Sequence, residues 1–183
     1  KPGINRLVFV SNADELAEAN RLTGGKLTLT DRTATQLVRA SETDPAVASF
    51  TVDELYFAEA GETDELRRIS RHGFDGTTGG EVLLTASNTD WSLFNRRAEN
   101  AKVAAITCYE QLRKPAGAVL VAYPAGEGRI FVTTVERNPQ TIRGRHFLRR
   151  LCANIGVPAP FDETGVLGAG EHEHDLLLDG PKD

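Results

Sequence analysis

The opening thirty residues constrain the architecture more than any other stretch, because they place a strand, a helix and a second strand in immediate succession. Arg6 to Val10 (R-L-V-F-V) is a short apolar, β-branched run bounded by Ser11 and Asn12, the pattern of a buried strand. Asn12 and Glu15 have the spacing of a capping box, and Leu16, Ala19 and Leu22 then return at helical intervals. Gly24 and Gly25 stop that helix, since glycine enters the left-handed conformation of a C-cap without a Cβ clash. Lys26 to Thr30 alternates as a strand, and Thr33 to Val38 reads as a short helix opened by a Thr33/Gln36 box. Parallel strands need a crossover, which is usually helical, so this alternation predicts a mostly parallel sheet with helices on its faces.

Further along, Asp44-Pro45 marks a turn and Phe50 to Phe57 reads as an extended, partly buried strand. Thr63 to Arg71 reads as a polar helix, and His72 to Gly80, with four glycines, as a surface loop. Glu81 to Ala86 returns to strand character, and Ala98 to Leu112 carries the clearest apolar helical stripe, ended by Pro115. Gly117 to Tyr123 and Arg129 to Val135 flank P-A-G-E-G, a glycine-bearing loop of hairpin length, which predicts an antiparallel hairpin at the edge of the sheet. Arg143 to Ile155 reads as a closing helix with Gly156 at its C-cap. The expected fold is α/β, a flavodoxin-like three-layer sandwich over residues 1–158. Residues 159–183, glycine-rich and acidic, read as a linker or tail toward a neighbouring domain. A chain of 183 residues without methionine suggests a mature or excised segment.

Several chemistries lack their signatures. Twenty-one basic against 26 acidic residues give a net charge of -5, without the basic excess that a phosphate-backbone binder uses, so no nucleic-acid partner is expected. No apolar run approaches the length that spans a bilayer, so no membrane partner is expected either. There is no G-x-S-x-G or G-x-C-x-G elbow to expose a nucleophile at a strand end. Cys108 and Cys152 both fall inside predicted helices on apolar positions, where a free cysteine behaves as a small hydrophobe. The first strand ends in V-S-N-A-D, without the glycines of a dinucleotide or phosphate loop, and no cofactor is expected. His172 and His174, two apart in E-H-E-H-D, have the spacing for a shared metal but lack an evident third ligand, and no metal site is assigned.

The segment D-W-S-L-F-N-R-R, Asp90 to Arg97, gathers the chain's single Trp, a Phe, an Asn and two Arg ahead of the strongest helix. A pyranose offers an apolar face for stacking and hydroxyls for amides and guanidinium groups. The candidate carbohydrate contacts are therefore Trp91, Asn95, Arg96, Arg97 and Tyr123, and Arg129 and Arg145 offer the same chemistry singly. The alternative is that Trp91 and Phe94 pack on the domain's own core while the arginines pair with local carboxylates.

The series G-G-K-L-T-L-T, D-E-L-Y-F, E-V-L-L-T-A-S-N-T-D-W-S-L-F and P-A-G-A-V-L-V-A-Y-P-A-G-E-G-R-I-F-V-T-T resembles the glutamine-amidotransferase-like α/β region of large bacterial glycoside hydrolases, especially family 2 β-galactosidase-type enzymes. The likeness runs from about Arg6 to Val157. It implies an accessory module without the amidotransferase cysteine, acting as scaffold or glycan contact beside a catalytic barrel elsewhere in a parent chain. Neighbouring domains of the parent are the implied partners, with a polysaccharide or oligosaccharide as ligand, and a secreted or periplasmic location is expected. A protein–protein or oligomerisation module anchored by Trp91 and Phe94 is the alternative, and a self-sufficient hydrolase a third.

Overall fold

The computed structural model describes residues 3–57, 69–87 and 117–161. Its elements are β1 (Arg6–Phe9), α1 (Ala13–Thr23), β2 (Thr28–Ala34), β3 (Leu37–Arg39), a 3-10 turn (Asp53–Leu55), β4 (Ser70–Asp75), β5 (Glu81–Ala86), β6 (Ala118–Ala125), β7 (Gly128–Thr133) and α2 (Ile142–Ile155).

The signals read from the sequence act as expected, Asn12 and Gly24 at α1 and Gly156 at α2, and the structure adds Thr141 as the N-cap of α2. Asn12 caps α1 through Oδ1, which accepts from the Glu15 N–H at 2.9 Å, and Gly24 ends the helix at φ 67°. Thr141 caps α2, its Oγ1 accepting from the Gly144 N–H at 3.1 Å, and Gly156 ends it at φ 72°. The hairpin is also present. Gly126 takes φ 61° at the head of a two-residue connection, and β6 and β7 pair from Ala125↔Gly128 to Leu120↔Thr133.

The α/β class holds, but the sheet is mostly antiparallel. Among the described residues one of six strand pairings is parallel, β1 with β7, so the sheet lacks the parallel ladder on which a flavodoxin-like sandwich is built. The reason lies in the path of α1. The strand order runs β1-β7-β6-β4-β2, so the helix carries the chain from one end of this order to the other instead of joining neighbouring strands. The β6–β7 hairpin, expected at an edge, is central, because β7 takes β1 on its far side and β6 takes both β4 and β5. β1, read as a buried strand, is an edge strand with Leu7, Val8 and Phe9 half-buried.

Three further segments depart from expectation. Thr33 to Val38 is extended: β2 pairs with β4, and after a kink at Thr35-Gln36 the same ribbon, now β3, pairs with β5. Both β4 and β5 pair with β6, so the ribbon closes a circuit of hydrogen-bonded strands. Residues 70–75, expected as the end of a polar helix and a surface loop, form β4, with Ser70, Gly73 and Phe74 buried. Within the expected strand from Phe50 to Phe57, Asp53–Leu55 form a 3-10 turn, the Glu54 carboxylate accepts from the Thr51 N–H at 2.8 Å, and strand pairing is confined to a bridge between Tyr56 and Gln36. The expected helices over 63–68 and 98–112 and the tail from 162 lie outside the described residues.

The pleat divides the core in two. Leu120, Ala122 and Phe131 face a cluster with Phe147, Leu148, Leu151 and Ile155 of α2. Val121, Tyr123 and Val132 face a second cluster with Ala19 and Leu16 of α1. Alternate residues of one strand project to opposite faces, so each face carries its own helix. The segment 44–57 is bound along α2: Asn154 Nδ2 donates to Ala46 O at 3.0 Å, Arg150 to Ser49 O at 2.8 Å and to Glu54, and Arg143 to Tyr56 O at 3.2 Å. None of the described helices is long and apolar enough to cross a membrane.

Candidate functional site

An open α/β sheet places its binding crevice beyond the carboxyl ends of its parallel strands. Here those ends are Phe9 of β1 and Thr133 of β7, and a crevice of about 390 Å³ lies there, bordered by Ser11, Glu15, His72, Thr134 and Arg137. The chain turns at Ser11 directly from β1 into the first turn of α1. Glu15 Oε2 accepts from both the Ser11 N–H and the Ser11 Oγ–H, each at 2.7 Å. The hydroxyl bond first, and the main-chain bond next, hold the Glu15 carboxyl below its ordinary range. The carboxylate is thus held against the residue that precedes the N-cap of α1. Arg137 lies with its guanidinium 5.3 Å from the Phe9 ring centroid, and Arg71 meets Glu136 at 3.4 Å.

Ser70, His72 and Asp31 bring the residue types of a hydrolytic triad onto two adjacent strands, since Asp31 and His72 are register partners. His72 Nδ1 is 3.5 Å from Asp31 Oδ1 but forms no hydrogen bond. The first link is missing, however. The Ser70 hydroxyl lies 2.7 Å from the His72 carbonyl, 2.8 Å from the Thr134 carbonyl and 2.9 Å from Thr134 Oγ1, and accepts from the His72 N–H at 3.3 Å. Its single proton is held by acceptors other than the imidazole, and the residue is fully buried. A nucleophile must reach both its base and its substrate, and this one reaches neither. Its place is structural: with the Ser70↔Val135 bridge it fastens β4 to the strand leaving β7.

Trp91, Asn95, Arg96 and Arg97 lie outside the described residues, as do Phe94, Cys108, His172 and His174. Tyr123 is placed in the core at 2 % exposure, its ring under Gly25 and Gly80, and burial raises its hydroxyl pKa. Arg129 is committed to Asp44 at 2.6 Å and Glu81 at 3.2 Å, and Arg145 Nε donates to Pro139 O at 3.0 Å. Cys152 is buried in α2, and desolvation pushes its thiol up to about 11, the opposite of an activated thiolate. Sequence reasoning missed Ser11, His72, Thr134 and Arg137. The available signal was position: Ser11 follows the first strand, where such crevices open, whereas the other three converge only through β4 and β7. No family model, curated protein or solved structure matches the chain.

Proposed function

We propose that this chain is a non-catalytic accessory module of a carbohydrate-active enzyme, with a secreted or periplasmic parent of the β-galactosidase type. The observation that carries the non-catalytic part is the state of the groups at the carboxyl end of the β1–β7 pair. Glu15 is occupied by Ser11, Ser70 is bound to carbonyls, and neither is paired to a base. A carboxylate and a hydroxyl spent on such local bonds hold a scaffold in shape, and His72, whose Nδ1 is left without a hydrogen-bond partner, does not receive the Ser70 proton. The buried, high-pKa Cys152 agrees with a region from which the amidotransferase thiol is missing. The parent activity rests on the sequence resemblance.

The helix-bearing clusters on the two faces of the sheet support a three-layer reading of the domain. Glycan contact is assigned to Trp91, Asn95, Arg96 and Arg97. Tyr123 is left out because its ring is enclosed. Calorimetric titration with galactose-containing oligosaccharides and polysaccharides tests the contact: heat that disappears in Trp91→Ala supports it, and heat unchanged in that variant removes Trp91 from the role. Turnover of a chromogenic galactoside by the purified chain would overturn the non-catalytic reading.

A further inference from the structure

The outer edge of β1 has the properties of a self-complementary interface. In a parallel pair, one strand bonds its neighbour through alternate residues. The Val10 N–H donates to Thr133 O at 2.9 Å, so the even-numbered positions of β1 face β7, and the main-chain groups of Leu7 and Phe9 point away from the sheet. Among the described residues no strand pairs with that side. Edges of this kind recruit another strand unless they are blocked, and R-L-V-F, four residues long, carries no proline, lysine or bulge; its one charge is Arg6, and Val157, Pro158 and Pro160 border it beside Leu7 and Phe9 without pairing to it. Ile4, just before the strand, is 88 % exposed, and Leu7, Val8 and Phe9 are only half-buried.

The charges around the strand select the occupant. Arg6, exposed, stands at its amino end, and Asp14, also exposed, stands in the first turn of α1 beyond its carboxyl end. Both border one crevice on the α1 face. The same crevice holds Glu18, which Arg21 takes up through two hydrogen bonds of 2.7 Å, and Glu15, which is bound to Ser11 with Arg137 on the same border. Setting those locally engaged groups aside, Arg6 at one end and Asp14 at the other form the pattern that a two-fold axis satisfies, because antiparallel pairing brings each end against the opposite end of a copy.

We propose that two copies of this chain pair antiparallel through β1, about a two-fold axis at Val8, to form one continuous sheet. Leu7 then exchanges both main-chain bonds with the partner's Phe9, and Arg6 faces the carboxyl end of the neighbouring strand and reaches Asp14 of the partner subunit. Leu7 and Phe9, on the α2 face, meet across the axis as cross-strand apolar pairs. The assignment does not depend on the glycan reading.

Sedimentation velocity over a concentration series of the 183-residue chain gives the first test. A reversible dimer is expected, and a monomer throughout, up to roughly 200 µM, the range of a weak contact, overturns the proposal. Charge reversal tests the geometry. Arg6→Glu and Asp14→Lys each put like charges together twice per dimer, and each should weaken self-association about tenfold. An equimolar mixture of the two variants restores complementarity at both ends. The introduced carboxylate of one chain then meets the introduced ammonium of the other, and the unchanged Asp14 meets the unchanged Arg6. The mixture should associate as tightly as the unmodified chain. Homotypic dimers unaffected by either reversal, or a mixture that fails to associate, sink the two-fold arrangement. Leu7→Pro removes an outward N–H that β7 does not use, and should abolish the dimer. If that variant fails to fold, the charge pair decides, because both of its sites are exposed.

Discussion

Truncating Phe147 to alanine should loosen the whole of segment 44–57 from α2, and the size of the effect follows from its packing. The side chain is 1 % exposed. Its ring lies 5.0 Å from Phe50, tilted at 38°, and 5.4 Å from Phe57 at 81°, an edge-to-face contact. A buried phenylalanine removes about 200 Å² from water, which at about 25 cal/mol per Å² amounts to about 5 kcal/mol as an upper bound. Measured Phe→Ala costs of about 3–5 kcal/mol already contain the transfer, cavity and ring terms together, so about 4 kcal/mol is expected. In a domain of this size that lowers Tm by about 8–16 °C. Urea unfolding followed by far-UV circular dichroism gives the free energy, and Phe147→Leu, which keeps most of the volume, should cost less than half as much. Phe50→Ala combined with Phe147→Ala should be less than additive by about 0.5–1.5 kcal/mol, the worth of one aromatic pair. A loss under about 1.5 kcal/mol for Phe147→Ala, or full additivity of the pair, would refute the picture of a ring locked between the segment and the helix.

Three other outcomes follow from the packing and the hydrogen bonds. Cys152 has its thiol pKa raised to about 11, so the unfolded chain releases that proton first as pH rises, and stability should fall from about pH 9 to pH 11 by about 2 kcal/mol. Cys152→Ala should lessen that alkaline loss in urea titrations at fixed pH, and an unchanged slope would count against a buried neutral thiol. Gly80→Ala sets a Cβ 2.6 Å from Val121 Cγ1 and 2.7 Å from Tyr123 Cζ, and should cost about 1–3 kcal/mol in thermal melts through overpacking. Ser11→Ala deletes the hydroxyl that does most to lower the Glu15 pKa, so the carboxyl should titrate at higher pH by carbon-detected NMR. An unmoved midpoint would mean that the main-chain bond alone sets it.

The elements legible in the sequence are those whose determinants are local. Asn12 and Gly24 bracket one apolar helical repeat and Gly156 ends the other, whereas the Thr141 cap went unread although its bond, like that of Asn12, stays within the first turn. The hairpin was legible for the same reason, since Gly126 supplies the positive φ at its turn. Segment 33–38 shows the limit. A threonine three residues before a glutamine has the spacing of a helix start, but Ala34 and Leu37 are buried in a ribbon whose hydrogen bonds run to β4 and β5, about 35 to 50 positions away. Segment 70–75 misled similarly: Gly73 in S-R-H-G-F-D signals a loop, whereas Gly73 lies where a Cβ would come 3.1 Å from Gly117 Cα, so the glycine marks strand proximity.

Strand direction was illegible for a more general reason. A helix between two strands fixes their relative direction only if the strands are neighbours, and nothing within R-L-V-F-V or K-L-T-L-T states which strand lies beside it. Here β1 found β7, far along the chain, while β2 found β4, so α1 spans the sheet. The same long-range choice creates the crevice. Ser11 and Glu15 are brought near Arg137 because β1 runs parallel to β7 and both strands end at the same border of the sheet. It also leaves β1 outermost, with the main-chain groups of Leu7 and Phe9 turned outward. The crevice and the unpaired edge are therefore consequences of one pairing, and a perturbation of the β1–β7 register should alter both. A single-residue slip would turn Val8 toward the α2 face and Leu7 toward α1, reversing the assignment of β1 to the two core clusters.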